Sequence, residues 1–350
     1  MREHWKLETD DAGIAWLCLD KAEAKANVLS SYVIEELDGV LDELEANPPK
    51  GLVLYSGKPG SFVMGADITE FSDFESAEEV ARLGQLGQSV FRRFSTLPCP
   101  TVAYVNGVCL GGGLEIVMFF DYRVGPTGDS RIFGLPEVKL GLHPGFGGTV
   151  NAVQLCGVRA GMQLMLTGNP INAKKALRTG LIDRIAGGDE WRDVAKQLVA
   201  SKPPKRKAPF VDRLMGIGPL RPFVKNMLIK QVASKARKDH YPAPYAMIDL
   251  WAEHGASPKT GFKAEAESFG RVMCTDTARN LIRVFFLQGK LKKQGNRTDT
   301  QIKHVHVVGA GVMGGDIAAW CALRGHTVTL QDREQKYIDP ALERAAKLFS

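Results

Sequence analysis

No stretch of this 350-residue chain approaches the roughly 20 consecutive apolar residues that a membrane-spanning helix requires. The opening residues, Met1-Arg2-Glu3-His4-Trp5-Lys6-Leu7-Glu8, lack the apolar segment of a secretory signal, so none is indicated. The six cysteines, Cys18, Cys99, Cys109, Cys156, Cys274 and Cys321, form no C-x-x-C pair. Cys109 and Cys321 lie in apolar stretches, where cysteine acts as a small hydrophobe. A reduced, cytoplasmic setting fits that usage. There is no G-x-S-x-G elbow, so serine hydrolysis has no support. Internal repeats are lacking. Charge of neither sign dominates: the formal net charge is +6, too mild to argue for nucleic acid. The one basic run, Ser201-Lys202-Pro203-Pro204-Lys205-Arg206-Lys207-Ala208-Pro209, has no aromatic residues between its charges. It reads as a linker rather than a nucleic-acid patch.

What is present is the composition of an ordinary globular protein, 44% hydrophobic and 24% charged. The length allows two or three domains. Residues 14–19 and 52–55 are short apolar runs that read as strands, as do residues 101–105. Between them, residues 30–44 carry Val33, Ile34, Leu37, Val40, Leu41 and Leu44 at helical spacing. Residues 77–94 read as a second helix. Alternating strands and helices give an α/β domain. Residues 220–295 are mostly helical in pattern. In their last part, Thr275 and Asp276 suit a cap, and Ala278, Leu281, Ile282, Phe285 and Phe286 share one face.

Two glutamates close glycine-bearing motifs: Val108-Cys109-Leu110-Gly111-Gly112-Gly113-Leu114-Glu115 and Ile132-Phe133-Gly134-Leu135-Pro136-Glu137. Met64-Gly65-Ala66-Asp67-Ile68 precedes both. Glycines let backbone N–H groups approach a ligand. Two such groups from separate loops can hold an oxyanion, and paired carboxylates beside them can supply a base and an acid. This combination resembles the crotonase (enoyl-CoA hydratase/isomerase) superfamily. The likeness continues through Val138-Lys139-Leu140-Gly141-Leu142-His143-Pro144-Gly145-Phe146-Gly147-Gly148-Thr149 and Gly180-Leu181-Ile182-Asp183, covering residues 1 to about 190. His240-Tyr241-Pro242-Ala243-Pro244 looks like the alpha-subunit family of bacterial fatty-acid oxidation complexes. That family fuses an enoyl-CoA hydratase/isomerase to a 3-hydroxyacyl-CoA dehydrogenase. Glu115 and Glu137 are 22 residues apart, about two more than the family pattern, with the excess in residues 125–130. That loop should bulge and leave both carboxylates in place.

The resemblance implies a ββα spiral and an acyl-CoA substrate, with Ala66 and Gly112 as oxyanion donors. Glu115 would act as base towards water and Glu137 would protonate C2, a split that coupled titration leaves open. Gly65, Asp67, Ile68, Gly111, Gly113 and Pro136 would bind substrate, with residues 66–68 at the adenine end of CoA. The implied reaction is hydration of a trans-2-enoyl-CoA without a cofactor. Movement of the double bond between the 3- and 2-positions would be a side activity, and a thiolase beta subunit a partner. Another isomerase, decarboxylase or thioester hydrolase of the superfamily is the alternative, as is a non-catalytic acyl-CoA-binding subunit. The helices after residue 190 would pack on the hydratase domain. His143 reads as a hydrogen-bonded loop residue ahead of an acyl-pocket one.

Residues 304–308 read as a strand, followed by Gly309-Ala310-Gly311-Val312-Met313-Gly314, a helix over 316–323, a strand over 327–330, and Asp332. The acid stands 21 residues past Gly311, the pattern of a dinucleotide-binding turn. Of the cofactor-binding residues Gly309, Gly311, Met313, Gly314 and Asp332, Gly309 would permit the tight turn, Gly311 would let the backbone reach the pyrophosphate, Gly314 would let helix and strand pack closely, and Asp332 would accept from the ribose, favouring NAD over NADP. His304 and His306 share a strand face, but no third ligand makes a metal site of them. The expected order is a hydratase domain over 1–190, a helical linker over 191–300, and the first part of an NAD-binding domain over 301–350. NAD would serve only the longer parent. Residues 301–350 should be mobile or held by docking on the linker helices.

Overall fold

A computed structural model describes residues 2–72, 74, 76–295 and 301–349. The chain starts with β1 (Trp5–Thr9), β2 (Ile14–Leu19) and α1 (Ser31–Ala46), followed by β3 (Gly51–Ser56), β4 (Gly60–Val63) and α2 (Ala77–Arg93). Next come β5 (Thr101–Tyr104), β6 (Gly107–Leu110) and α3 (Gly112–Val117), then β7 (Tyr122–Gly125), β8 (Arg131–Gly134) and α4 (Gly148–Thr167). Each of the last three strand–strand–helix turns gives one strand to each of two sheets. The larger sheet runs β1-β2-β3-β5-β7 and closes with β10 (Arg184–Ile185); the smaller runs β4-β6-β8 and closes with β9 (Ile171–Asn172). Within each sheet the successive strands β3, β5, β7 and β4, β6, β8 are parallel. The fold is the crotonase ββα spiral.

The physical causes are local. All six residues of β2 are buried, because it lies between β1 and β3 with apolar layers on both faces. The Ser30 hydroxyl caps α1 by accepting from the Val33 N–H, and Val33, Leu37, Val40, Leu41 and Leu44 form its buried stripe. Ile34 lies at the edge of that stripe and is half-buried. The insertion at 126–130 is a surface loop, with Thr127 against Gly187 and an exposed Lys174–Asp129 pair. Family-motif residue Asp183 is structural: its carboxylate takes the buried Arg123 guanidinium at 2.8 Å and the Arg123 N–H at 2.8 Å.

Between β9 and β10 lies α5 (Ala173–Thr179); after β10 come α6 (Glu190–Ser201), α7 (Phe210–Met215), α8 (Arg221–Ala233), α9 (Ala243–His254), α10 (Pro258–Met273) and α11 (Asp276–Gly295). Packing draws no division at residue 190. Ala195, Leu198 and Val199 of α6 bury against Val53, Val102 and Val124 of the larger sheet. One compact unit spans Met1–Phe285 and a second spans Phe286–Ser350. The Thr275 hydroxyl caps α11 through the Ala278 N–H. Its expected apolar face is buried only at the start: Ala278 and Ile282 are covered, whereas Phe285 is 47% exposed.

The second unit contains β11 (His304–Val308), α12 (Val312–Leu323), β12 (Thr327–Gln331) and α13 (Gln335–Phe349). The two strands pair in parallel with each other. The helix after the glycine turn starts at Val312, four residues before the expected 316, because Gly311 serves as its N-cap. His304 and His306 each bond across to β12, at Thr329 and Gln331. No group of three metal-ligating side chains occurs among the described residues.

Candidate active site

The smaller sheet ends in the turn that makes the site. From Leu110 of β6 the chain passes through Gly111, at φ +52°, into α3. An ideal Cβ on Gly111 would lie 2.9 Å from Glu137 Oε1, so only glycine lets the Glu137 carboxyl come this close. Glu115 is in the first turn of α3 and 2% exposed. Its Oε1 accepts from the N–H groups of Phe146 and Gly148, each at 2.8 Å. Glu137 lies in the short 3-10 turn Pro136–Leu140. Both its carboxyl oxygens are out of solvent, and among the described residues neither has a hydrogen-bond partner.

These environments set the proton affinities. Burial, then the charges of Glu137 and Glu265, hold the Glu115 carboxyl well above its ordinary range, against the pull of its two N–H donors. Burial, helped by the charge of Glu265, pushes Glu137 up to about 8. A proton added to this region near neutral pH is therefore retained.

Gly112 N, at the start of α3, and Ala66 N, in the loop after β4, lie on one wall. An ideal Cβ on Gly112 falls 3.4 Å from Ala66 N. The Leu29 bridge engages the neighbours of Ala66 instead, since Leu29 N donates to Gly65 O and Asp67 N to Leu29 O. Among the described residues, neither the Ala66 nor the Gly112 N–H meets an acceptor.

A cavity of about 360 Å³ joins these groups. Gly65, Ala66, Asp67, Ile68, Gly111, Gly112, Glu115, Pro136 and Glu137 all line it. Gly113 does not. A side chain there would strike Val63 of β4, so this glycine serves packing behind the pocket rather than contact within it. Phe71, Phe146 and Phe269 supply an apolar wall. Asp67 carries the Lys21 ammonium at 3.4 Å and accepts from Thr69. His143 is fully buried away from the cavity, its ring bonded to Pro144 O at 2.7 Å and Ser268 Oγ at 2.9 Å. It is the hydrogen-bonded loop histidine, and burial lowers it to about 4.

The helices past residue 240 complete the site. The Tyr241 hydroxyl donates to Val138 O, one residue from Glu137. Gly141, at the end of the same turn, packs on Ala278 and Leu281. Phe269 and Glu265 both come from α10. Sequence reasoning did not single out Glu265, which is fully buried. The available signal was its place in a stripe with Phe262, Ala266 and Phe269.

In the second unit, Gly309 has φ +101°, and a Cβ on Gly314 would run into the Gly309 carbonyl. Nothing lies within 4 Å of where a Cβ would stand on Gly309 or Gly311. Asp332 Oδ2 accepts from Ala310 N at 2.6 Å, which holds its carboxyl below the usual range. Met313 is 77% exposed in the first turn of α12. An open glycine cradle at a helix N-terminus suits a pyrophosphate.

Residues 9–214 match the family described as enoyl-CoA hydratase/isomerase. The chain belongs to that family. Residues 304–350 match the NAD-binding domain of 3-hydroxyacyl-CoA dehydrogenase. Among curated proteins, the fatty acid oxidation complex subunit alpha of Aliivibrio fischeri is 38% identical over 316 residues, 88% of this chain and 46% of that protein. The subunit of the same name from Vibrio vulnificus is 34% identical over 354 residues, 99% of this chain and 50% of that protein. The chain thus spans about half the length of the curated relatives it matches. Human mitochondrial delta3-delta2-enoyl-CoA isomerase superposes with a TM-score of 0.60 at 23% identity, covering 83% of this chain and 99% of that one. The Bacillus halodurans enoyl-CoA hydratase gives 0.56 at 20%, covering 80% and 99%. At these identities the two structures speak for the fold alone. No helix among the described residues is long and apolar enough to cross a membrane.

Proposed function

We propose that the first unit hydrates trans-2-enoyl-CoA thioesters to 3-hydroxyacyl-CoA, as one step of fatty-acid β-oxidation. The observation that carries this reading is the pair Glu115 and Glu137 on one cavity beside the free Ala66 and Gly112 N–H groups. The thioester oxygen sits between those two donors. Glu115 in its ionised form, oriented by the Phe146 and Gly148 N–H groups and made strongly basic by burial, takes a proton from water as the water oxygen bonds C3. The C2–C3 π electrons move towards C2 and the thioester oxygen. Glu137, whose burial outweighs what favours its ionised form, gives its proton to C2. Return of the proton from Glu115 to Glu137 restores the starting state. Loss of one oxyanion donor costs about 3 kcal/mol of barrier stabilisation. Gly65, Gly111 and Pro136 shape the wall, and Asp67 and Ile68 border the CoA side.

Crotonyl-CoA, followed by loss of its conjugated enoyl absorbance, tests the reading. A folded chain without turnover would overturn it. The same two carboxyls could carry a proton between C4 and C2, which makes double-bond migration the second activity to assay. Nothing in the hydration step calls for a cofactor.

The relatives' names and the match at 304–350 support a dehydrogenase in the longer protein. There NAD would supply hydride acceptance; Gly309, Gly311 and Met313 would border its pyrophosphate, Gly314 would let the helix pack close to the turn, and Asp332 would accept from its ribose. A thiolase beta subunit as partner, and a cytoplasmic location, complete the proposal; six unpaired cysteines accord with the latter.

A further inference from the structure

The turn that orients Glu115 is shared between two carboxylates. Phe146 N and Gly148 N donate to Glu115 Oε1. The alternate groups, Gly147 N at 2.5 Å and Thr149 N at 2.8 Å, donate to Glu265, as does the Thr149 hydroxyl. Gln88 Nε2 on α2 donates to Glu265 at 3.0 Å and to Gly145 O at 3.1 Å, fixing the approach to the same turn. Gly147, at φ +109°, permits the reversal of direction that sends successive N–H groups to opposite sides.

Glu265 reaches this turn from outside the family-matched span of residues 9–214. Its helix, α10, runs along α2 at close range. Gly84 faces Ala266, and Gly270 sits against the Ala77 carbonyl, where no side chain would fit. A buried carboxylate without donors would be costly, and the four bonds here offset that cost. An apolar residue of similar size could have filled the space. The specific product of a carboxylate here is a turn held rigid from the side opposite the substrate.

We propose that Glu265 is a positioning residue for hydration: it clamps residues 147–149 so that the Phe146 and Gly148 N–H groups stay aimed at Glu115. The inference rests on the hydratase reading above. Glu265 touches no substrate; it acts through the turn. Its charge also faces the pair. The titratable groups coupled to it are Glu115 on α3 and Glu137 on the 3-10 turn, while its contacts on α2 and α4 are the neutral Gln88, Gly147 and Thr149. Replacing Glu265 by a neutral group removes a charge that raises both carboxyls, so the pair should lose its proton at lower pH.

The test compares wild type, Glu265→Gln, Glu265→Asp and Thr149→Val as full chains. In Glu265→Gln the amide NH2 faces the Thr149 donors, so part of the clamp is lost at nearly constant volume. With crotonyl-CoA, kcat should fall about tenfold to 100-fold, the scale of a small misplacement. KM should stay within roughly threefold, because the cavity wall is untouched. The basic limb of the kcat/KM profile should move to lower pH, and Glu265→Asp should recover part of kcat. Thr149→Val removes one donor and should show the same changes, smaller; it decides the matter if Glu265→Gln does not fold. Wild-type kcat and pH profile in a folded variant, even with a lowered Tm, would reduce Glu265 to a packing role and overturn the proposal. A wild-type chain that does not hydrate crotonyl-CoA would instead overturn the hydratase reading. Amide hydrogen exchange at Phe146 and Gly148 then still reads the clamp. Exchange unchanged by Glu265→Gln counts against it, and faster exchange at both amides supports it.

Discussion

Residues 110–117 and 308–314 both lead from a parallel strand through glycine into a helix, yet the two turns end in opposite surroundings. At the first, Gly111 stands against the Glu137 carboxyl, and the following helix is buried along its length. At the second, nothing lies within 4 Å of where a Cβ would stand on Gly309 or Gly311, and Val312 and Met313 are mostly exposed. Glycine in the buried turn admits the Glu137 carboxyl to the wall that carries the Gly112 N–H. Glycine in the open turn leaves room for a phosphate. On the proposed reading, the same backbone device serves acid–base chemistry when enclosed and anion binding when left open, and the enclosing layer makes the difference.

The largest test of that contrast removes the layer. Cutting the chain after residue 195 deletes α10, with Glu265 and Phe269, and the Tyr241 hydroxyl that holds the Glu137 turn. It should expose apolar surface on α2 and the 141–149 segment, giving aggregation and loss of all hydration, read by light scattering and the crotonyl-CoA assay. A chain cut after residue 295 keeps the layer and should stay fully active. A soluble, monomeric, active 1–195 fragment would show that the enclosing helices are dispensable.

Next in size are the carboxyls. Glu115→Gln and Glu137→Gln should each lower kcat by about 10²–10⁴-fold, the contribution of a general acid or base, while CoA binding measured by calorimetry survives. Near-wild-type turnover in either would remove that residue from the mechanism. Asp332→Asn, in the open turn, should leave hydration untouched.

Much of the first site was legible in the sequence, because its parts are local. Glu115 and Glu137 each close a short motif whose glycines have to approach something, and the spacing survives an insertion that stays on the surface at 126–130. Glu265 was not legible, since it meets Gly147 only through a contact 118 residues apart in the chain. In sequence it is one acid in Lys263-Ala264-Glu265-Ala266-Glu267, indistinguishable from a solvated helix face except by its stripe. Gly113 was overread for the converse reason: it shares a motif with contact residues, but its contact is Val63. The apolar face of α11 was legible as amphipathic, but how far along it a partner extends was not.

A smaller effect separates the units by pH. Burial raises Glu137 to about 8 and Glu265 to about 7, above their values in an unfolded chain. The folded state therefore holds more protons, and this stability is complete below about 4.5 and lost as pH rises through 7 to 8. Buried His143, lowered to about 4, runs the other way, its contribution present above about 6.5 and lost as pH falls towards 4. The two oppose each other between these limits. Above pH 6.5 only the carboxyls remain, so the urea midpoint of the first unit should fall between pH 6.5 and 8.5, and Glu265→Gln should flatten that fall. A midpoint rising over this range would contradict the burial of the carboxyls.

The smallest effect is expected in the open turn. Among the described residues of the second unit, the buried apolar side chains are Ala310, Ala318, Ala319 and Ala341, while Trp320 and Leu323 are about half exposed. Its strands β11 and β12 alternate exposed and half-buried residues and pair only with each other. Ordering a residue costs roughly 1–2 kcal/mol, and alanine methyls return little against that. Amides of β11 and β12 should thus exchange far faster than those of β3 and β5, whose residues are nearly all buried. Binding by this cradle alone should be weak, because a dinucleotide site draws on two such halves. With a dissociation constant of about 1 mM, 10 mM NAD would slow exchange in residues 304–331 about tenfold at most. Gly314→Ala, which drives a methyl into the Gly309 carbonyl, should abolish even that slowing and leave crotonyl-CoA hydration unchanged. Strong protection of β11 without NAD, or a dissociation constant in the low micromolar range, would mean that this turn is as firmly built as the enclosed one.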